Sequence, residues 1–140
     1  MRTEPRQNVR LPIRVVVADD ADGVRELTCL LLEMDGDFHV VGRAKDGAEA
    51  IEVARGSHPD LVLLDVAMPV MDGIAALPQL RIEHPNARLV LFTGFRESSL
   101  ESEARAAGAD ALIEKGVGVQ TLVQRLRELC RLPHGNAVAF

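Results

Sequence analysis

The sequence predicts an α/β protein, a parallel sheet with helices on both faces. Compact aliphatic runs alternate with stretches whose apolar residues recur at helical spacing. The connections are short, which is the pattern of successive βα units. The aliphatic runs are also nearly unbroken by polar residues, as expected of parallel strands covered on both sides. A chain of 140 residues suits one domain with a sizeable core.

Each element has its own signal. Ile13–Ala18 (IRVVVA) is β-branched and reads as the first strand. Val24, Leu27, Leu31 and Met34 follow at helical spacing and mark a first helix. Phe38–Ala44 (FHVVGRA) is the second strand. Asp46 opens a second helix, with Glu49 as its capping-box partner, running to about Gly56. Leu61–Leu64 is the third strand, and a third helix follows Asp72-Gly73. Pro78 falls inside that helix, lacks an N–H and crowds the Ile74 carbonyl, so a kink or a late start is expected. Arg88–Phe92 is the fourth strand. Leu100, Ala104 and Ala107 mark one face of a polar fourth helix. Ala111–Ile113 is a short fifth strand. Val119, Leu122, Val123, Leu126, Leu129 and Cys130 form the cleanest amphipathic helix. Residues 1–11 and 133–140 read as tails around a domain at 12–132, the second tail being a terminus or the start of a linker.

Composition narrows the function classes. The net charge is -5, with no Trp or Tyr and 4 Phe. Nucleic-acid binders commonly show a basic face and stacking aromatics, so direct nucleic-acid binding is not expected. Arg2, Arg6, Arg10 and Arg14 read as a solvated tail rather than a basic arm. No apolar run reaches the length of a membrane span, and the N-terminus lacks the apolar core of a secretory signal. Cys29 and Cys130 lack metal-ligand spacing and read as buried free thiols. These features together point to the cytoplasm.

Ligands of open α/β sheets bind at the carboxyl ends of the strands. After the first strand come Asp19 and Asp20, after the third Asp65, after the fourth Thr93 and Gly94, and after the fifth Lys115. The second strand ends near Arg43 and Lys45, with no comparable acid. Each residue alone is ordinary, since an Asp after a strand is usually a turn former or a helix cap. Together they aim an acid pair, an acid, a hydroxyl and an ammonium at one place. Crowded carboxylates repel by roughly 4 kcal/mol per pair at about 4 Å and an effective dielectric near 20. Oxygen donors without His or Cys suit a hard cation such as Mg²⁺. Three carboxylates, one ammonium and one divalent cation sum to zero charge. Such a site is equipped for phosphoryl transfer, with an acid as nucleophile.

The stretches VVVADD, LVLLDVAMPVMDG, LVLFTG and AGADALIEKG occur in this order. With them the sequence resembles a response-regulator receiver domain of bacterial two-component signalling, over about residues 12–132. The branch it resembles is that of receivers attached to helix-turn-helix transcription regulators. The resemblance implies a flavodoxin-like, doubly wound, five-stranded sheet in the order 2-1-3-4-5. It implies Asp65 as phosphoacceptor, taking its phosphoryl group from a phosphohistidine on a sensor histidine kinase or phosphotransfer protein. Asp20, Asp65 and the backbone carbonyl of Ala67 would ligate Mg²⁺, with Asp19 acting through water. Thr93 and Lys115 would bind the phosphoryl group, Lys115 pairing first with Asp65. Gly94 fits the small residue that keeps access open. The module would be primarily a switch that catalyses its own phosphorylation and slow hydrolysis. The face of the fourth helix, fifth strand and fifth helix would read out the change, a homodimer through it being one arrangement. Output would be stand-alone docking or a DNA-binding domain outside this chain.

The sequence also departs from the pattern. Leu112 stands where the family often has a switch aromatic, with Phe95 as one substitute. Gly116 replaces a frequent proline after Lys115, so a trans peptide is expected there. Two other chemistries compete. A haloacid-dehalogenase-like phosphatase needs D-x-D after the first strand, which Asp20-Ala21-Asp22 fits formally. However, Asp22 heads a helix pattern, and the chain has no room for a cap domain. A flavin carrier would want a Ser/Thr/Gly phosphate loop after that strand, which is absent.

Overall fold

The strands form because their side chains are apolar toward both faces of one sheet. The computed structural model describes residues 11–94 and 98–131. It places β1 at Ile13–Ala18, α1 at Asp22–Asp35, β2 at Phe38–Ala44, α2 at Gly47–Ser57 and β3 at Leu61–Leu64. Then follow α3 at Gly73–Glu83, β4 at Arg88–Thr93, α4 at Ser98–Ala107, β5 at Ala111–Glu114 and α5 at Val119–Arg131. All pairings are parallel, in the order β2-β1-β3-β4-β5. This is the doubly wound, flavodoxin-like arrangement. Alternate residues feed two cores. Val15, Val17, Leu61, Leu63 and Val90 face α1 and α5, while Val16, Val62, Leu64, Leu89 and Leu91 face α2, α3 and α4. Leu112 packs on the second side, partly buried, together with Ala104 and Ala107 of α4.

The first helix turns a different face inward than its apolar spacing predicts. Its buried residues are Thr28, Cys29 and Leu32. Of the expected face, Met34 is 72% exposed, Leu27 55% and Val24 40%, and Leu31 is half-buried. Two physical facts permit this. Thr28 satisfies its hydroxyl by donating to the Val24 carbonyl at 2.8 Å. Arg25, on the same face as Cys29 and Leu32 by helical spacing, is drawn inward to the end of β1, as described below.

Three other expectations need adjustment. The third helix starts on time and runs through Pro78. That proline is exposed, so the Ile74 carbonyl it leaves unpaired lies on the solvent side, where water can serve it. In the second helix Asp46 accepts from the Glu49 amide at 2.8 Å, but Glu49 reaches back to the Lys45 N–H at 2.7 Å, not to that of Asp46. Cys29 is buried, whereas Cys130 is only partly covered. Burial pushes the Cys130 thiol up to about 12 and raises that of Cys29 as well, which disfavours the thiolate in both. The Lys115–Gly116 peptide is trans; among the described residues the one cis peptide is Leu11–Pro12. Phe95 lies outside the described residues.

The β3–α3 connection is tightly specified. Met71 N–H donates to the Pro69 carbonyl at 2.6 Å across Val70, whose φ is 68°, making a three-residue turn. Asp72 caps α3 by accepting from the Ala75 amide at 2.7 Å. A Cβ on Gly73 would lie 2.2 Å from the Asp65 carbonyl oxygen, so only glycine lets α3 begin this close to the end of β3. No helix among the described residues is long and apolar enough to cross a membrane.

Candidate functional site

The site is built where four strands end. Ala18 closes β1, and the next two residues are Asp19, buried, and Asp20, exposed. Leu64 closes β3 and is followed by Asp65, which is 8% exposed. Thr93 is the last residue of β4 and is fully buried. Glu114 closes β5 and Lys115 follows. Strand order makes neighbours of β1 and β3 and of β4 and β5, so residues far apart in sequence meet at one edge.

The three acids converge. One carboxylate oxygen from each of Asp19, Asp20 and Asp65 lies within 4.8 Å of the others. Lys115 joins two of them, its Nζ donating to Asp19 Oδ2 at 2.6 Å and standing 3.5 Å from Asp65 Oδ2. The tighter pairing is therefore with Asp19, not with Asp65 as the resemblance implies. The same Nζ sits 5.9 Å from the centre of the Phe92 ring, a cation–π approach that steadies the ammonium. Asp19 is held at both oxygens, since its Oδ1 accepts the Ala21 N–H at 3.0 Å. The Lys115 amide donates to the Thr93 carbonyl at 2.8 Å, which locks the ends of β4 and β5 together.

The electrostatics single out Asp65. Its pKa is raised above the ordinary aspartate value, first by burial. Lys115 opposes the rise, Asp19 adds to it, and the nearby Ala67 backbone N–H lowers it. The Ala67 backbone thus lies against Asp65.

The donor set suits a hard divalent cation, being three carboxylates with no His or Cys among them. Six-coordinate Mg²⁺ at about 2.1 Å from each oxygen needs ligand oxygens no more than about 4.2 Å apart. The observed spacing comes within a small side-chain adjustment of that. Gly94 is exposed, and a Cβ there would meet nothing within 4 Å among the described residues. An apolar groove of about 180 Å³ adjoins the site. It is lined by Val24, Leu27 and Leu31 of α1 with Phe92, Val117 and Lys115. Sequence reasoning located the acids, Thr93 and Lys115 by their places after strands. It missed the groove, because helical spacing does not show which face of α1 stays uncovered, and it missed Arg25, which bonds the Asp19 carbonyl.

Comparison with known proteins agrees with this geometry. The response regulator receiver domain family model matches residues 15–127. The response regulator GacA of Pseudomonas viridiflava is 40% identical over 116 residues, covering 82% of this chain and 54% of that protein. The transcriptional regulatory protein LnrK of Bacillus subtilis is 33% identical over 112 residues, covering 80% and 51%. This chain thus spans about half the length of these relatives. Among solved structures, a two-component response regulator of the LuxR family from Aurantimonas superposes with a TM-score of 0.82 at 30% identity, covering 91% of this chain and 89% of that one. By sequence, fold and site, the chain belongs to the response regulator receiver domain family.

Proposed function

We propose that this chain is the phosphoacceptor module of a two-component phosphorelay, with Asp65 as the residue modified. The observation that carries this is the convergence of Asp19, Asp20 and Asp65 on Lys115 at the carboxyl edge of the sheet. A carboxylate oxygen of Asp65 attacks the phosphorus of a phosphohistidine. The P–N bond breaks, its electron pair returns to the imidazole, and an acyl phosphate forms on Asp65. Bound Mg²⁺, held by Asp20, Asp65 and the Ala67 carbonyl and through water by Asp19, would neutralise charge on the phosphoryl oxygens. Lys115 supplies a second positive charge, moving its pairing from Asp19 toward the new phosphoryl group. The Thr93 hydroxyl donates to a phosphoryl oxygen from its fully buried position at the end of β4.

The donor is a histidine kinase or phosphotransfer protein. The groove beside Lys115 supports this, because it offers an apolar seat for a partner helix next to the reacting carboxylate. Output runs through α4, β5 and α5, where Leu112 takes the place of an aromatic switch, on the side of the sheet that α4 covers. Aspartyl phosphate biases this face between states already accessible to it. The face then docks on a partner or a second copy, and residues 12–132 form the whole receiver. The matched segment covers only about half of these relatives, which favours a regulator in which a receiver of this kind controls a DNA-binding half.

The test is incubation with Mg²⁺ and acetyl phosphate, read on a phosphate-affinity gel. The wild type shifts and Asp65→Asn does not. No shift in the wild type, or an equal shift in Asp65→Asn, overturns the assignment.

A further inference from the structure

Two consecutive acids serve this site, and that raises a geometric problem. Neighbouring side chains on an extended strand point to opposite faces. For Asp19 and Asp20 to bring carboxylates within 4.8 Å of each other and of Asp65, the peptide between them must be turned out of the strand. The side chain of Asp19 is fixed by Lys115 and by the Ala21 amide. Asp20 is exposed, so its direction follows from the backbone. What orients the Asp19–Asp20 peptide therefore decides whether the pair converges.

Arg25 does this. Its Nη1 donates to the Asp19 carbonyl at 2.9 Å, the oxygen of that very peptide. Its Nη2 donates to Asp22 Oδ1 at 2.9 Å, and its Nε reaches Glu26 Oε2 at 3.4 Å. Glu26 in turn accepts from Arg43 at the end of β2 at 3.1 Å. The guanidinium is 15% exposed and planar, so holding it at two edges orients the N–H aimed at the carbonyl. Its location runs against local preference. A cation in the first turn of a helix meets the positive end of the helix dipole, and α1 has no side-chain cap at Ala21. Departures of this kind mark positions kept for function.

We propose that Arg25 is a positioning residue for the divalent cation, holding the Asp19–Asp20 peptide so that both carboxylates face Asp65. This rests on the phosphoacceptor reading of the site. It also makes a prediction that charge alone reverses. Removing a positive charge beside a cation site should tighten cation binding by simple electrostatics. Removing a positioning bond should weaken it, by about tenfold or more, as loss of outer-sphere partners of metal ligands does.

The experiment is a Mg²⁺ titration of the purified chain, followed by NMR of the backbone amides, for wild type, Arg25→Met and Arg25→Lys. Circular dichroism establishes that each variant is folded. Arg25→Met should raise the Mg²⁺ Kd about tenfold, and Arg25→Lys, which keeps the charge and one donor, should recover part of the loss. Phosphorylation by acetyl phosphate should fall at limiting Mg²⁺ and recover when Mg²⁺ is raised. An unchanged or tighter Kd in folded Arg25→Met overturns the proposal, as does a Kd weakened equally by both variants. A wild type that binds no Mg²⁺ instead refutes the underlying reading of the site.

Discussion

Asp65 occupies an uncomfortable position for a carboxylate before it is modified. It is buried beside Asp19, and its pKa is raised by burial first. A raised folded-state pKa means that ionising Asp65 costs more in the native protein than in the unfolded chain. Below the ordinary value of 3.8 the acid is neutral in both folded and unfolded chains and costs nothing. As pH rises through the folded pKa, Asp65 must ionise in place and stability is lost. Asp65→Asn should therefore melt higher than wild type at neutral pH without Mg²⁺, while Lys115 keeps its pairing with Asp19. The difference should vanish as pH falls below about 4; a variant that melts lower than wild type at neutral pH contradicts this. At this scale the acids, Thr93 and Lys115 were legible, because each directly follows a strand. Arg25 was not, because an arginine inside an amphipathic pattern reads as solvent-facing until its hydrogen bond to the Asp19 carbonyl is seen.

Individual elements are held to the site by close backbone approaches. Gly73 begins α3 against the Asp65 carbonyl, and its N–H donates to the Val66 carbonyl at 3.0 Å. Gly47 begins α2 against the Met71 carbonyl, donating to it at 2.7 Å, where a Cβ would come within 2.7 Å of the same oxygen. Two helix starts thus brace the loop that carries Ala67. Gly73→Ala should cost about 1–3 kcal/mol in urea unfolding, the range for forced overpacking, and should slow phosphorylation as Asp65 shifts. Gly94→Ala, with nothing within 4 Å of its Cβ, should leave stability within about 0.5 kcal/mol of wild type. Equal effects of the two changes would contradict the close approach at Gly73. The helix start after Asp72-Gly73 was legible, though the cap at Asp72 came from the structure. The need for glycine next to it was not, because that need arises from β3, a separate element.

Across the whole molecule, strand order does the assembling. Placing β1 between β2 and β3, with β4 and β5 beyond, brings residues from 19 to 115 to one edge. The same assembly leaves the apolar stripe of α1 uncovered beside that edge. Leu27→Glu should leave stability within about 0.5 kcal/mol, as exposed substitutions do, and leave labelling by acetyl phosphate unchanged. Transfer from a phosphohistidine-bearing donor protein should slow tenfold or more, since a charge would enter an apolar seat. Undiminished transfer would remove the groove from donor docking.

What the sequence determined by itself was local. Strand and helix positions followed from hydrophobic period, one cap from Asp46, and the acid set from residues that must follow strands in any parallel α/β sheet. What only the tertiary structure decided was rotational and long-range. The stripe Val24, Leu27, Leu31 and Met34 is more apolar than the stripe of Thr28, Cys29 and Leu32 that α1 buries, so periodicity alone points to the wrong face. The choice was made where Arg25 met the Asp19 carbonyl and Cys29 and Leu32 met the sheet. Lys115 likewise pairs more closely with Asp19 than with Asp65, a preference set only once the sheet has brought the residues after β1, β3 and β5 to one edge.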